Sequence, residues 1–344
     1  MINKEPKGLE GLLPYLETEL HFDPSSTVIT QFKGGYSNLT YLIHSPAGEF
    51  VLRRPPLGLK ISKAHDMIRE FRILQALEKA GYSKIPKPIL VCENDSVIGA
   101  PFFIMEKVNG LILRNKIPGG MDLNSEFFAK LSRHTLDGLL ALHQLEIEAS
   151  GLLVLGKPQG YVERQVMGWS ERYFNAKTDE LPAMEAASTW LKSNLPEKEN
   201  VAFIHNDYKY DNLVLVGPDN PEIKAVLDWE MATVGDPLMD LGTSLAYWAE
   251  DNDPDILKMF NLTYQKGNMT RAQVIDYYAQ NSNLDLSNML FYYVFGVFKV
   301  GVIAQQIYKR YSLGFAQDPR FAALIHVVKA CGNTAMKSIQ THKI

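Results

Sequence analysis

Cysteine is scarce: the 344 residues contain two, Cys92 and Cys331. They lie far apart and lack the close pairing of metal sites. A disulfide framework and a thiolate metal centre are therefore not expected, and a reduced, cytoplasmic chain is. A basic excess is also missing. The net charge is -4, the wrong sign for neutralising a phosphate backbone, so nucleic acid is not an expected partner. The opening stretch, MINKEPKGLEGLLPYLETEL, has no apolar core followed by small residues, and no signal peptide is expected. Internal repeats and low-complexity tracts are absent.

Long uninterrupted apolar runs are lacking as well. The nearest is 290–307, LFYYVFGVFKVGVIAQQI, broken by Lys299, Gln305 and Gln306. A span needs about 20 nearly unbroken apolar residues. A buried helix is the better reading, and no membrane partner is expected.

What is present divides near 106–110. Ahead of it, TVITQF, NLTYLIHS and EFVLRR alternate as strands around the Lys33-Gly34-Gly35 turn. Ala64, Met67, Ile68, Phe71, Leu74 and Leu77 repeat at helical spacing over 63–80, stopped by Gly81. ILVCEN and PFFIMEKV read as a further strand pair about Asn94-Asp95. After Gly110, helical patterns dominate at 125–146, 160–175, 183–194, 237–249, 271–280 and 288–310. Two short strands, VAFIH (201–205) and IKAVLD (223–228), lie among them. The expected fold is α+β and bilobal: an antiparallel β lobe with one main helix over 1–108, and a larger, mostly helical lobe over 109–344. An inter-lobe crevice is a common ligand site.

The chemistry concentrates in His205-Asn206-Asp207-Tyr208-Lys209-Tyr210-Asp211-Asn212, which follows VAFIH and precedes LVLV. This is H-x-D-x-x-x-x-N, the catalytic-loop spacing of the kinase fold. Phosphoryl transfer needs a carboxylate near the acceptor hydroxyl, which suits Asp207, and a nearby oxygen ligand for Mg2+, which suits Asn212. Taken alone, both residues are also ordinary turn formers. The strand KAVL then ends in Asp228-Trp229-Glu230, placing a metal-binding carboxylate, Asp228, as in a D-F-G element. Asp236-Pro237 opens the next helix as N-cap and first helical residue.

The phrases FIHNDYKYDNLVL and AVLDWEMATVGDPLMDLG resemble the aminoglycoside phosphotransferase-like family, which shares the protein-kinase architecture. GGYSNLTYLI, VLRRPP, AHDMIREFRILQAL and FKVGVIAQQIYKR look closest to its branch fused to acyl-CoA dehydrogenases. A chain of 344 residues would then be a free-standing form. The resemblance implies that Gly34, Gly35 and Ser37 cover the nucleotide phosphates. It implies that Arg53, where the family has lysine, grips them with Glu70 as ion-pair partner. Strand alternation puts Arg53 with Val51 on one face, and Leu52 with Arg54 on the other. Met105, Glu106 and Val108 would form the hinge behind and beside the purine. Lys209 would contact phosphate or substrate, and Arg164, near Tyr161 and Trp169, would face the acceptor.

The expected activity is transfer of the γ-phosphate of ATP (or GTP), with Mg2+, to a small-molecule hydroxyl acceptor. A hydroxy acid or hydroxyacyl-CoA comes first, then another small alcohol, then an aminoglycoside. A pseudokinase is the rival, supported by Arg53. A protein kinase is disfavoured because no long activation segment separates Asp228 from Pro237. His205 and Asp240 read as loop organisers, and His143 as a core residue. Oligomeric state is left open.

Overall fold

The computed structural model describes residues 6, 8–32, 38–56 and 66–344. After helix α1 (Leu12–Leu20) come β1 (Val28–Gln31), β2 (Leu39–Ser45), β3 (Gly48–Arg54), α2 (Met67–Lys79), β4 (Pro88–Cys92) and β5 (Phe102–Glu106). The five strands form one antiparallel sheet in the order β1-β2-β3-β5-β4. Its two faces are chemically distinct. Leu52, Ile43, Phe102 and Ile104 pack with Leu12 and Leu16 of α1. Val51, Phe103 and Met105 pack with Phe71 and Leu74 of α2.

Helix α2 starts where the Asp66 carboxylate accepts the Arg69 amide at 2.9 Å. It ends at Gly81, whose φ of +80° lets the Tyr82 amide turn back to the Leu77 carbonyl at 3.0 Å. The remainder is mostly helical: α3 (Ser125–His143), α4 (Ile147–Ser150), α5 (Tyr161–Ala176), α6 (Pro182–Ser193), α7 (Pro237–Tyr247), α8 (Asp255–Lys258), α9 (Arg271–Gln280), α10 (Met289–Ser312) and α11 (Leu324–Thr341). Short strands β6 (Ala202–Ile204), β7 (Leu213–Leu215), β8 (Ile223–Val226) and β9 (Thr233–Gly235) pair as β6-β9 and β7-β8. After β5 the chain crosses at Gly110, where a β-carbon would sit 2.2 Å from the Leu215 carbonyl. Leu111 then pairs with Leu215 on β7.

Among the described residues, α10 is the one helix long and apolar enough to cross a membrane, and most of it is buried inside the molecule against α5, α6, α7 and α11. The polar interruptions explain how it tolerates that burial. Gln305 donates to the Ala176 carbonyl at 3.0 Å and to Thr178 at 2.8 Å, and Lys299 to the Asn206 carbonyl at 2.8 Å.

Candidate active site

The loop after β6 is held from beneath by Asp240 on α7. Its fully buried carboxylate accepts the amides of His205 at 2.7 Å and Asn206 at 2.8 Å, and His143 Nε2 lies 3.1 Å away. Burial opposes charge on Asp240, but the His143 hydrogen bond and these amides prevail and hold its carboxyl below the usual range. Tyr278 in turn holds His143 Nδ1 at 2.6 Å. His205 Nε2 faces the Leu227 carbonyl at 2.9 Å, so that nitrogen carries the proton, and Nδ1 accepts the Asp207 amide at 3.2 Å. Burial also lowers the His205 pKa, keeping the ring neutral. One imidazole thus ties the Asp207 loop to the residue preceding Asp228.

Asp207 itself is gripped from two sides. Asn212 Nδ2 donates to its Oδ2 at 2.9 Å and its carbonyl at 2.8 Å, and Lys209 Nζ is 3.2 Å from Oδ2. Lys209 lies over the Tyr247 ring at 4.7 Å and is 3.8 Å from Asp211, whose carboxyl is pushed up to about 6 by burial. Asn212 sits in the 3-10 turn Tyr210–Asn212, and its carbonyl accepts the Leu227 amide at 2.8 Å.

Asp228 adopts a left-handed conformation, φ 66° and ψ 64°, just before the turn Trp229–Met231. Arg53 on β3 meets three carboxylates: Glu70 of α2 at 2.5 Å, Asp228 at 3.0 Å and Glu230 at 3.7 Å. Burial pushes the Glu70 carboxyl up to about 7, with Arg53 pulling the other way. Burial likewise penalises the Asp228 charge, yet Arg53 holds its pKa below the ordinary value. Arg54 points oppositely and donates to the carbonyls of Gly8 at 2.9 Å and Ile98 at 2.8 Å. It serves the far side of the sheet, leaving Arg53 as the crevice cation of the pair.

Between the sheet and the helical part lies a cavity of about 450 Å3. Val51, Leu74, Met105, Ile112 and Trp229 supply apolar walls; Glu106 to Gly110 line one rim; Arg53, Glu70, Asn212 and Asp228 form the polar end. This apolar slot with convergent polar groups is the usual form of a small-ligand site. Gly34, Gly35 and Ser37 lie outside the described residues.

Arg164 does not join this group. It stands exposed in the first turn of α5, and its guanidinium reaches back to the carbonyls of Lys157 and Gln159 in its own segment. Its α5 neighbours do approach the loop: the Tyr161 hydroxyl pairs with the Asn206 side chain at 3.1 Å, and Trp169 lies under Lys299 at 5.5 Å.

Three sets of contacts escaped the sequence reading. Asn38 Nδ2 donates to Glu230 at 2.9 Å, joining the start of β2 to the Asp228 segment. Arg69 donates to the carbonyls of Leu155 at 3.1 Å, Ala232 at 2.6 Å and Glu230 at 3.4 Å, clamping α2 to the helical part. Lys299 makes the third, and its only signal was a charge inside an apolar run.

The donor set suits Mg2+. Asn212 spends its amide nitrogen on Asp207, leaving its oxygen as the donor, and Asp228 has one carboxylate oxygen on Arg53 and a side chain 37% exposed. Among the described residues no group of three His, Cys, Asp or Glu side chains could hold a metal. A few oxygen donors completed by substrate phosphates and water is how Mg2+ is usually bound.

The model of the phosphotransferase enzyme family (APH) matches residues 28–275. Acyl-CoA dehydrogenase family member 11 of Homo sapiens is 33% identical over 338 residues, covering 97% of this chain and 43% of that protein. The Rattus norvegicus protein of the same name is 36% identical over 291 residues, 83% of this chain and 37% of its own length. The chain thus spans about two fifths of these relatives. Among solved structures, a putative aminoglycoside phosphotransferase from Ralstonia eutropha superposes with a TM-score of 0.78 at 28% identity, covering 95% of this chain and 98% of that one. The GDP and kanamycin complex of an aminoglycoside 2"-phosphotransferase gives 0.64 at 16% identity over 94% and 99%. At that identity the likeness speaks for the fold, which is the bilobal, kinase-like one.

Proposed function

The chain belongs to the APH phosphotransferase enzyme family, and from that premise we propose that it transfers the γ-phosphate of ATP to the hydroxyl of a small hydroxy acid or hydroxyacyl thioester. That it is a small-molecule phosphotransferase with a hydroxyl acceptor follows from the family; nucleotide and acceptor are our reading. The observation that carries it is the convergence of Arg53, Asn212 and Asp228 at the polar end of the 450 Å3 cavity, with Asp207 next to it on the Asn212 amide at 2.9 Å.

In this reading the purine enters the apolar slot beside Met105, with Glu106 and Val108 as backbone partners. Arg53, oriented by Glu70, takes the phosphates. Asn212 and Asp228 hold Mg2+, which when bound neutralises charge on the phosphate oxygens. Asp207, with one oxygen fixed by Asn212 and Lys209, orients the acceptor and takes its hydroxyl proton. Because the transition state of phosphoryl transfer is loose, positioning and charge neutralisation supply most of the acceleration. Lys209, at 3.2 Å from Asp207, puts a cation beside the acceptor oxygen and favours an anionic acceptor. The names of the curated relatives, acyl-CoA dehydrogenases, support an acyl-type one. We place the activity in the cytoplasm, where the two buried thiols would stay reduced. An aminoglycoside or other small alcohol is the alternative acceptor. The other rival is a pseudokinase, which the direct Arg53–Asp228 pair at 3.0 Å would suit if nucleotide failed to displace it.

The test is a transfer assay with Mg-ATP and Mg-GTP against hydroxyacyl-CoA, hydroxy-acid, choline, sugar and aminoglycoside panels. Wild type and Asp207→Asn run side by side. Transfer to the hydroxyacyl or hydroxy-acid class is expected, reduced about 10²–10⁴-fold in the variant. Preference for a polycationic acceptor would overturn the acceptor class. Tight nucleotide binding without transfer in either protein would favour the pseudokinase.

A further inference from the structure

Lys299 is 2% exposed, in the middle of the apolar helix α10. Among the described residues no carboxylate lies within ion-pair distance of its ammonium. It has instead one carbonyl, that of Asn206 at 2.8 Å, and the Trp169 ring at 5.5 Å. An ammonium held so far from water is costly to bury. Packing alone would favour an apolar residue, as its neighbours Phe298 and Val300 illustrate.

The carbonyl it holds belongs to an unusual residue. Asn206 has φ 68°, left-handed, immediately before Asp207. Every polar group of Asn206 has a partner. Its amide goes to Asp240 at 2.8 Å, and its side chain to Tyr161 and to the Met231 carbonyl, each at 3.1 Å. Its carbonyl goes to Lys299. Asn206, the residue before Asp207, is therefore held at its amide by an anion from α7 and at its carbonyl by a cation from α10.

We propose that Lys299 is a positioning residue for phosphoryl transfer, holding the Asn206–Asp207 peptide from the buried side and supplying positive potential beneath the Asp207 carboxylate. This rests on the kinase reading above. Burial lowers the Lys299 pKa to about 8; Asp207 and Asp240 favour the ammonium, while Lys209 and Arg172 oppose it. The sign follows: charge is complete well below pH 8 and lost above it, so the support weakens as pH rises.

The experiment measures inorganic phosphate release from Mg-ATP, with water as acceptor, and Tm, for wild type, Lys299→Met and Lys299→Gln. Water's oxygen bonds to the γ-phosphorus, the bond to the β-phosphate oxygen breaks, and Asp207 takes a water proton. In Lys299→Met, kcat should fall about 10²-fold, the cost typical of an ångström-scale misplacement, with KM for Mg-ATP little changed. Its Tm should equal or exceed the wild-type value, since a buried charge has gone. Wild-type kcat should decline as pH rises through about 8, a limb both variants lack. Wild-type turnover in Lys299→Met overturns the proposal, and so does a parallel fall of kcat and Tm. Failure of both variants to fold makes the lysine structural and equally overturns it. A wild-type chain that binds no Mg-ATP would instead sink the kinase reading, and this one with it.

Discussion

Arg53 shows how much one side chain can organise. Three carboxylates from α2 and the Asp228 segment converge on a guanidinium that cannot lose its proton, so the site keeps its cation at every working pH. Arg53→Met should leave Glu70 buried without a counter-charge and destabilise the chain by about 3–5 kcal/mol in denaturant unfolding. It should also weaken Mg-ATP binding. Asp240 makes the complementary prediction for pH. Its folded pKa is depressed, so its contribution is present above the unfolded value, about 4, and lost as pH falls through the folded one. Asp240→Asn should therefore be less stable than wild type at neutral pH, and the gap should narrow under acid, as read by Tm against pH. Alternation along β3 put Arg53 and Arg54 on opposite faces, and the family resemblance pointed to Arg53 as the one facing the crevice. Its third partner, Glu230, could not be found that way, because a turn has no period to project.

At the scale of elements, the site depends on how closely α7 and α10 cross. A β-carbon on Gly242 would fall 2.2 Å from the Tyr292 carbonyl, and one on Gly296 would fall 2.2 Å from the Gly242 carbonyl. Backbone meets backbone there, and Asp240 of one helix and Lys299 of the other both reach the backbone of Asn206. Gly296→Ala should cost about 1–3 kcal/mol by overpacking, and should lower turnover by spreading the two helices; calorimetry and phosphate release check both. Helices 237–249 and 288–310 were legible from the Asp236-Pro237 cap and the apolar density. Helices α1 and α11 were not. The first is nine residues long with Pro14 in its first turn, and the second carries Val327-Val328 and Cys331-Gly332-Asn333. Neither has the intrinsic propensity to declare itself, and packing against the sheet or against α6 and α10 supplies what local preference lacks.

Across the whole molecule, the larger core ignores the change of texture near Gly110. Val51, Phe71, Phe103 and Met105 belong to the same packed cluster as Phe128, Trp229 and Phe298. Arg69 adds a polar clamp across the same junction. All four tryptophans, Trp169, Trp190, Trp229 and Trp248, lie in the helical part, whereas the large sheet belongs to the other. Tryptophan fluorescence and far-UV circular dichroism should nonetheless give coincident unfolding transitions, the mark of a single cooperative unit. Phe103→Ala, on the sheet, should shift both by about 3–5 kcal/mol; a shift in one signal alone would show that the parts unfold separately.

The sequence by itself singled out the residues we propose as the catalytic set. Asp207, Asn212 and Asp228 sit in short loops between strands, where a few consecutive residues specify both the chemistry and the turn that presents it. It also determined which residues of β3 share a face and the order of sheet and helices, since those follow from periods of two and 3.6. Only the tertiary structure decided that Arg164 turns away from the crevice, that Arg69 ties α2 down, and that a lysine buried in an apolar helix ends on the carbonyl before Asp207. Each of these joins residues far apart along the chain, and the distance between them is set by helix crossings and close glycine contacts that no local pattern encodes.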